Sequence, residues 1–340
     1  MNEQKKIKIG IVGAGHIAQV VHIPIWKTIA DAEVVAVCDK IKAKARWVAE
    51  KLHIDRYYGD LDEMLKSDDI DAVDICTETA SHKELAVAAL SAGKHVLVEK
   101  PMARTYQEAK AMVDAARKYE RHLMVAMNVR FRRDAITLKS FVDGNELGDI
   151  IYAKSGWVSR RNFSKITDRW LYNREISGGG VLMDLGIQML DAASWLLGDL
   201  QPVSVKAVTF HRVPNLSVED SAICMLQYES GTVLSLEVSW TIMTEKDLLY
   251  VNLYGTEGTA LINPLRVYKS IRGKMVNITP STDEGANIRY RRSYKNELRH
   301  FVACLNKNIP MQADAAEVAE RLRILEALYR SAEAGKEITL

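Results

Sequence analysis

Two glycines and an alanine near the start of the chain have the spacing with which a backbone cradles a pyrophosphate. Gly13-Ala14-Gly15-His16-Ile17-Ala18 reads G-x-G-x-x-A. Gly13 permits a tight turn, Gly15 lets the main chain approach phosphate oxygens, and Ala18 keeps the next helix close to its strand. The first N–H groups of that helix, at His16 and Ile17, would face the phosphates. Asp39 stands 24 residues beyond Gly15, where a carboxylate accepts the two ribose hydroxyls and repels a 2′-phosphate. This favours NAD, while the adjacent Lys40 could pair with a phosphate and leaves NADP open.

Two further groups could carry acid–base chemistry. Lys100 follows the apolar run 95–98 and precedes Pro101, which favours an extended backbone. On position alone, a solvated lysine on a loop fits equally well. From Val181 to Trp195 the chain is apolar nearly all round, as in a buried helix, except at Asp184, Gln188 and Asp191. These fall at i, i+4 and i+7, on one face. Such a stripe must be hydrogen-bonded internally or face a cleft. Asp191 is expected in an internal network. Asp184 and Gln188, nearer the entrance Gly178-Gly179-Gly180, are expected to face a cleft.

The elements that must hold these groups follow from periodicity. Strand-like runs at 7–12, 34–38, 72–76, 95–98 and 123–127 alternate with helical stretches at 17–29, 41–52, 81–92 and 106–119. That alternation predicts an α/β fold, with a doubly wound parallel Rossmann sheet over residues 1–127. Ligands on such sheets lie beyond the carboxyl ends of the strands. The residues to watch are therefore Asp39, Thr77 and His82, Glu99 and Lys100, and Asn128 and Arg130. Asn128 is taken with the cofactor and Arg130 with the substrate. Residues 128–340 hold strand-like runs joined by short turns, at 229–231 and 255–258 for example. They predict a second, α+β domain with a largely antiparallel open sheet, closed by helices near 294–306 and 315–334.

Composition narrows the class. A net charge of +2 argues against a polyanion-binding surface and hence against nucleic acid. The basic clusters 130–133 and 289–292 read as solvated faces. No apolar run approaches a membrane span, and the N-terminus reads as charges followed by a strand rather than a secretory leader. The cysteines at 38, 76, 224 and 304 lack metal-ligand spacing, so no metal is expected. They suggest reduced core thiols in a cytoplasm.

The chain resembles the glucose–fructose oxidoreductase / inositol dehydrogenase / MocA (Gfo/Idh/MocA) family over essentially its whole length. The marks are the G-x-G-x-x-A loop, Glu99-Lys100-Pro101 after Ala92-Gly93-Lys94-His95-Val96, the run from Gly178 to Asp191, and Tyr254-Gly255-Thr256-Glu257-Gly258. The resemblance implies hydride transfer between NAD(H) or NADP(H) and a secondary alcohol or ketone of a sugar, cyclitol or related polyol. It also implies a homodimer or homotetramer formed through the open sheet. The lysine at position 100 would touch nicotinamide and substrate, with a Lys–Pro bond that is often cis. Asp184 would bind the reacting hydroxyl. Thr77 and His82 fall in a T-P-x-x-x-H loop near the cofactor, with Glu78 in place of its proline.

One departure bears on the chemistry. Where the family usually has an acid/base histidine, this chain has Gln188, which orients a hydroxyl but does not titrate near neutrality. Proton transfer then passes to Lys100, whose neutral form is favoured by desolvation and by the charge of oxidised nicotinamide, with Asp184 and Gln188 orienting the hydroxyl. By analogy with the family, the loop holding Arg169 and Trp170 borders the substrate, Arg and Trp together suiting a polyol. A surface loop with Trp170 as packing anchor fits as well. Arg160 and Arg161 would favour an acidic sugar if they faced the cleft. Two other readings stand beside the dehydrogenase: an NAD-retaining lyase or glycosidase working by transient oxidation, and a non-catalytic nucleotide-binding regulator.

Overall fold

Fully apolar four-residue runs such as Leu123–Ala126, and the nearly apolar Ala72–Ile75, are buried along their whole length as strands covered on both faces. They set the first half of the computed structural model, which describes residues 6–163, 170–198, 201–281 and 285–340. In chain order the first half contains β1 (Ile7–Val12), a π-helical turn (Ala18–His22) leading into α1 (Ile23–Trp26), β2 (Ala32–Cys38), α2 (Lys42–Lys51), β3 (Arg56–Tyr58) and α3 (Leu61–Leu65). β4 (Ala72–Ile75), α4 (Thr79–Ser91), β5 (His95–Glu99), α5 (Tyr106–Lys118) and β6 (Leu123–Ala126) complete it. The strands pair in parallel in the order β3-β2-β1-β4-β5-β6. This is the doubly wound dinucleotide-binding order, with its switch point between β1 and β4.

Local signals set the helix ends. Asp60 accepts the Glu63 N–H at 3.1 Å and caps α3. Gly93, at φ +78°, closes α4, as its place in the sequence suggests. The helix expected over 17–29 is instead a π turn and a short α-helix, because Pro24 at the start of α1 has no N–H to donate.

The second half runs through α6 (Arg133–Asp143), β7 (Ile150–Val158), α7 (Arg174–Ser177), a second π turn (Leu182–Gly186), α8 (Ile187–Leu196), β8 (Pro202–Phe210), β9 (Ser221–Tyr228) and β10 (Val233–Ser239). Then come β11 (Leu248–Gly255), β12 (Gly258–Leu261), β13 (Arg266–Ile271), β14 (Lys274–Asn277), α9 (Ala286–Lys307), α10 (Ala315–Ala334) and β15 (Ile338–Thr339). Among the described residues, its strands form a nine-stranded sheet ordered β14-β13-β12-β11-β7-β10-β9-β8-β15. The sheet is antiparallel except where β10 lies parallel to β7. Alternating burial along β9 leaves one face of the sheet core-directed and the other exposed.

Two compact units result, residues 1–131 with 286–319, and residues 132–285 with 320–340. α9 thus lies in the first unit, whereas a division at 127/128 groups it with the second half.

Candidate active site

In the first unit, Gly13 ends β1 at φ +96°, a conformation that favours glycine. A Cβ there would meet the Cys76 carbonyl oxygen at 2.7 Å, because the loops after β1 and β4 touch at the switch point. Gly15 differs. The nearest atom to a Cβ built on it is the Cys76 oxygen at 3.7 Å, so its side of the turn is open. That opening, bordered by the start of the π turn, fits a pyrophosphate. Asp39 at the end of β2 organises the turn by accepting the Ala14 N–H and the Ile41 N–H, both at 2.9 Å. Lys44 sits 3.4 Å from the same carboxylate. Lys40 turns away to Glu78 at 2.7 Å, and this hydrogen bond raises the pKa of its ammonium.

The loops after β4 and β5 are tied together by His82. Its Nδ1 lies 2.9 Å from the Pro101 oxygen and its Nε2 3.1 Å from the Thr77 oxygen. Burial lowers the pKa of this ring, so it stands neutral and donates to one of the two carbonyls. Thr77 accepts the Ser81 hydroxyl at 2.8 Å. Glu99 ends β5 nearly buried, and one of its oxygens accepts the Lys100 N–H at 3.0 Å. The Lys100–Pro101 peptide is cis. Asn128 is buried and donates to the Ser293 hydroxyl at 3.1 Å.

Arg130 corrects an expectation. It is fully buried rather than solvated, and its guanidinium pairs with Glu317 at 2.9 Å and donates to the Gln312 carbonyl. It serves packing inside the first unit and presents no surface to a substrate. Arg132 is likewise buried, on Asp134.

In the second unit, Asp184 sits in the π turn that opens into α8, where the Ile187 N–H reaches back to the Leu182 oxygen. One Asp184 oxygen pairs with Arg161 and accepts the Trp240 indole N–H at 3.2 Å. The Arg161 guanidinium lies over the Trp240 ring, 4.5 Å from its centroid. Tyr172 meets Trp240 edge-on at 5.6 Å, and Phe163 lies 5.7 Å from Tyr172. Gln188 donates its amide to the Asp184 backbone oxygen at 3.2 Å. Asp191 faces Arg321 at 3.6 Å with both side chains buried, the internal network expected of it. Trp170 is exposed in a short 3-10 turn, and Arg169 lies outside the described residues.

The glycine entrance is explained by Glu219. Its carboxylate accepts the Gly180 N–H and the Leu182 N–H at 3.0 Å, and the Tyr329 hydroxyl at 2.8 Å. A Cβ on Gly180 would collide with the Glu219 carbonyl oxygen. Burial raises the carboxyl's pKa, against the pull of these donors.

Family models match both halves: an oxidoreductase family's NAD-binding Rossmann fold over residues 7–127 and its C-terminal alpha/beta domain over residues 139–340. The chain belongs to the Gfo/Idh/MocA oxidoreductase family. It is 31% identical over 355 residues to a D-glucoside 3-dehydrogenase of Escherichia coli (strain K12), covering 98% of this chain and 97% of that one. A scyllo-inositol 2-dehydrogenase (NAD(+)) of Bacillus subtilis (strain 168) is 27% identical, covering 92% and 90%. A levoglucosan dehydrogenase structure, in complex with NADH and levoglucosan, superposes with a TM-score of 0.91 over 99% of each chain at 22% identity, a likeness of fold. The protein is thus an NAD-binding oxidoreductase with a Rossmann domain and a Gfo/Idh/MocA C-terminal domain.

Sequence reasoning passed over His22, Glu219 and Trp240 in this Gfo/Idh/MocA protein. His22 had one legible signal: a lone imidazole inside the apolar run 20–25 must find buried partners. Glu219 and Trp240 lie more than 30 residues from the groups they hold, beyond the reach of any local pattern.

Proposed function

We propose that the protein catalyses reversible hydride transfer between NAD(H) and a secondary alcohol or ketone on a neutral sugar, cyclitol or related polyol. The observation that carries this reading is Lys100. It stands at the carboxyl end of β5, on the side of the sheet where the Gly13–Gly15 turn leaves β1, its backbone N–H fixed by Glu99. Family membership and the sugar and cyclitol dehydrogenases among its relatives support the substrate class.

Gly13, Gly15, His16 and Ile17 would hold the pyrophosphate, Asp39 the ribose hydroxyls, and Thr77 and Asn128 the remainder of the cofactor, with His82 bracing Thr77 and Glu99 bracing Lys100. Bound there, NAD supplies hydride acceptance from, or donation to, the carbinol carbon. Lys100 takes the hydroxyl proton during oxidation and returns it during reduction. Asp184 and Gln188 orient the hydroxyl, and Arg169 and Trp170 border the ring. The engagement of Arg161 by Asp184 favours a neutral polyol over an acidic sugar. The pairing of Lys40 with Glu78 favours NAD over NADP, since a 2′-phosphate would meet the Asp39 carboxylate. The buried free cysteines accord with a cytoplasmic site of action. Among the described residues no helix is long and apolar enough to cross a membrane. A second copy of the chain on the exposed sheet face completes the reading.

The test is absorbance at 340 nm across a polyol panel with both coenzymes. Net NADH formation, with a lower KM for NAD than for NADP, is expected. Lys100→Ala should lower kcat by roughly 10²–10⁴ while NAD affinity stays near wild type. Wild-type turnover by Lys100→Ala would remove the lysine from the reaction. Product without net NADH would replace the dehydrogenase with the transient-oxidation reading.

A further inference from the structure

His22 closes the first π turn, where the Ile23 N–H reaches back to the Ala18 oxygen, and its ring is fully buried. Nδ1 lies 2.8 Å from an Asp74 oxygen and Nε2 lies 2.9 Å from a Glu99 oxygen. A neutral imidazole carries a single N–H, so one of these carboxylates would face a lone pair at hydrogen-bond distance. The imidazolium donates to both. Burial opposes that charge, but the neighbours, Asp74 foremost, outweigh it and the ring's pKa is raised well above its ordinary value. The same Asp74 oxygen accepts the Trp26 indole N–H at 2.7 Å. The second Glu99 oxygen accepts the Lys100 N–H at 3.0 Å. An unbroken chain of contacts therefore runs from Asp74 through His22 and Glu99 to the backbone of Lys100.

The rest of the compartment is acidic. From α9, Tyr294 places its ring edge-on to His22 at 5.6 Å. Glu297, fully buried, has no hydrogen-bond partner for either oxygen among the described residues. Burial, then Glu99, push its pKa well up, with His22 pulling the other way. Cys76, after β4, adds a thiol raised to about 12 by burial. The ligand atoms of His22, Asp74 and Cys76 lie within 4.8 Å of one another. A metal ion there would need a lone pair on a nitrogen and a thiolate. Both nitrogens face carboxylates at hydrogen-bond distance, an arrangement suited to a proton on each.

We propose that His22, as an imidazolium bridging Asp74 and Glu99, is a positioning residue for Lys100. It fixes the Glu99 carboxylate, and Glu99 fixes the amide from which the lysine side chain departs. The inference rests on the role in the reaction proposed above for Lys100. Glu99→Gln is the informative conservative change. Its carbonyl can still accept the Lys100 N–H while its amide donates to a neutral His22, so the chain of contacts persists with one proton fewer.

The test measures kcat, KM and NAD affinity for His22→Gln, Glu99→Ala and Glu99→Gln, each also combined with Lys100→Met. His22→Gln and Glu99→Ala should each lose about 10–100-fold in kcat with NAD affinity near wild type. Glu99→Gln should keep kcat within a few-fold, and in the Lys100→Met background none of the three should cost more. An equal loss in both backgrounds, a loss confined to NAD affinity, or no loss at all would overturn the inference and leave the Lys100 role standing. Wild-type turnover by Lys100→Met alone would overturn the role beneath it, a separate result. If His22→Gln does not fold, the two Glu99 variants carry the comparison.

Discussion

Glu297 is a side chain whose charge the fold accommodates poorly. It is enclosed on α9 with neither oxygen hydrogen-bonded to any described residue, and its pKa is well above the ordinary carboxyl value. Between the unfolded pKa, near 4.5, and the higher folded one, the native state binds the extra proton. Stability therefore falls as pH rises through that window, by about 1.4 kcal/mol per pH unit. His22 adds to the same trend. Its raised pKa gives stability that is complete below the unfolded value of 6.5 and lost as pH rises through the folded one. Glu297→Gln keeps the shape and removes the first contribution. Its melting temperature should exceed wild type at pH 8 and converge with it below pH 5. Parallel melting curves across that range would show the carboxyl to be paired. Residues of this kind were hard to read from sequence. Gly13, Asp39 and Lys100 stood out because their partners are a few residues away or at a fixed motif distance. Arg130 read as solvated, because nothing in Arg130-Phe131-Arg132-Arg133 reveals that Glu317 lies opposite.

The two π turns, Ala18–His22 and Leu182–Gly186, each contain a polar side chain that the fold must aim, His22 and Asp184. An extra residue in a helical turn rotates the helix on its N-terminal side relative to the helix on its C-terminal side, which is one way to direct a buried group. Periodicity did not expose them. Asp184, Gln188 and Asp191 match an ordinary helical face in sequence, yet the inserted residue turns Asp184 toward Arg161 and Trp240 while Asp191 meets Arg321. Deleting Gly186 should restore α-helical continuity into α8 and rotate Asp184 by about 100° relative to it. Helical circular dichroism should persist, the melting temperature should fall because Leu182, Met183 and Leu185 are buried on the same turn, and kcat at temperatures where the variant is folded should drop by roughly 10²-fold. Full activity in the deletion variant would show that the orientation of Asp184 is irrelevant to turnover.

At the scale of the whole chain, both sheets were legible because parallel strands read as continuous apolar runs and antiparallel ones alternate. The membership of α9 was not legible. Its buried stripe of Tyr294, Glu297, Leu298 and Phe301 shows that one face is covered, without saying by which unit. The exposed face of the nine-stranded sheet raises the complementary question of what covers it. Val208 and Ile223 lie side by side across β8 and β9, and Met225 lies two residues further along β9, all about half exposed (51%, 53% and 48%). On the same sheet Tyr152 and Tyr254 stack at 5.8 Å between β7 and β11. Adjacent exposed apolar side chains on a broad sheet favour a covered face, and a second copy of the same sheet is self-complementary about a two-fold axis. Ile223→Asp with Met225→Asp would place carboxylates against their own symmetry mates. On the proposed sheet-mediated contact, sedimentation should give a dimer or tetramer for wild type and the monomer mass for the variant. A wild-type monomer, or an assembly indifferent to the two substitutions, would refute the sheet-mediated contact. Because these side chains point away from the core-directed face, the secondary structure of the variant should remain that of wild type.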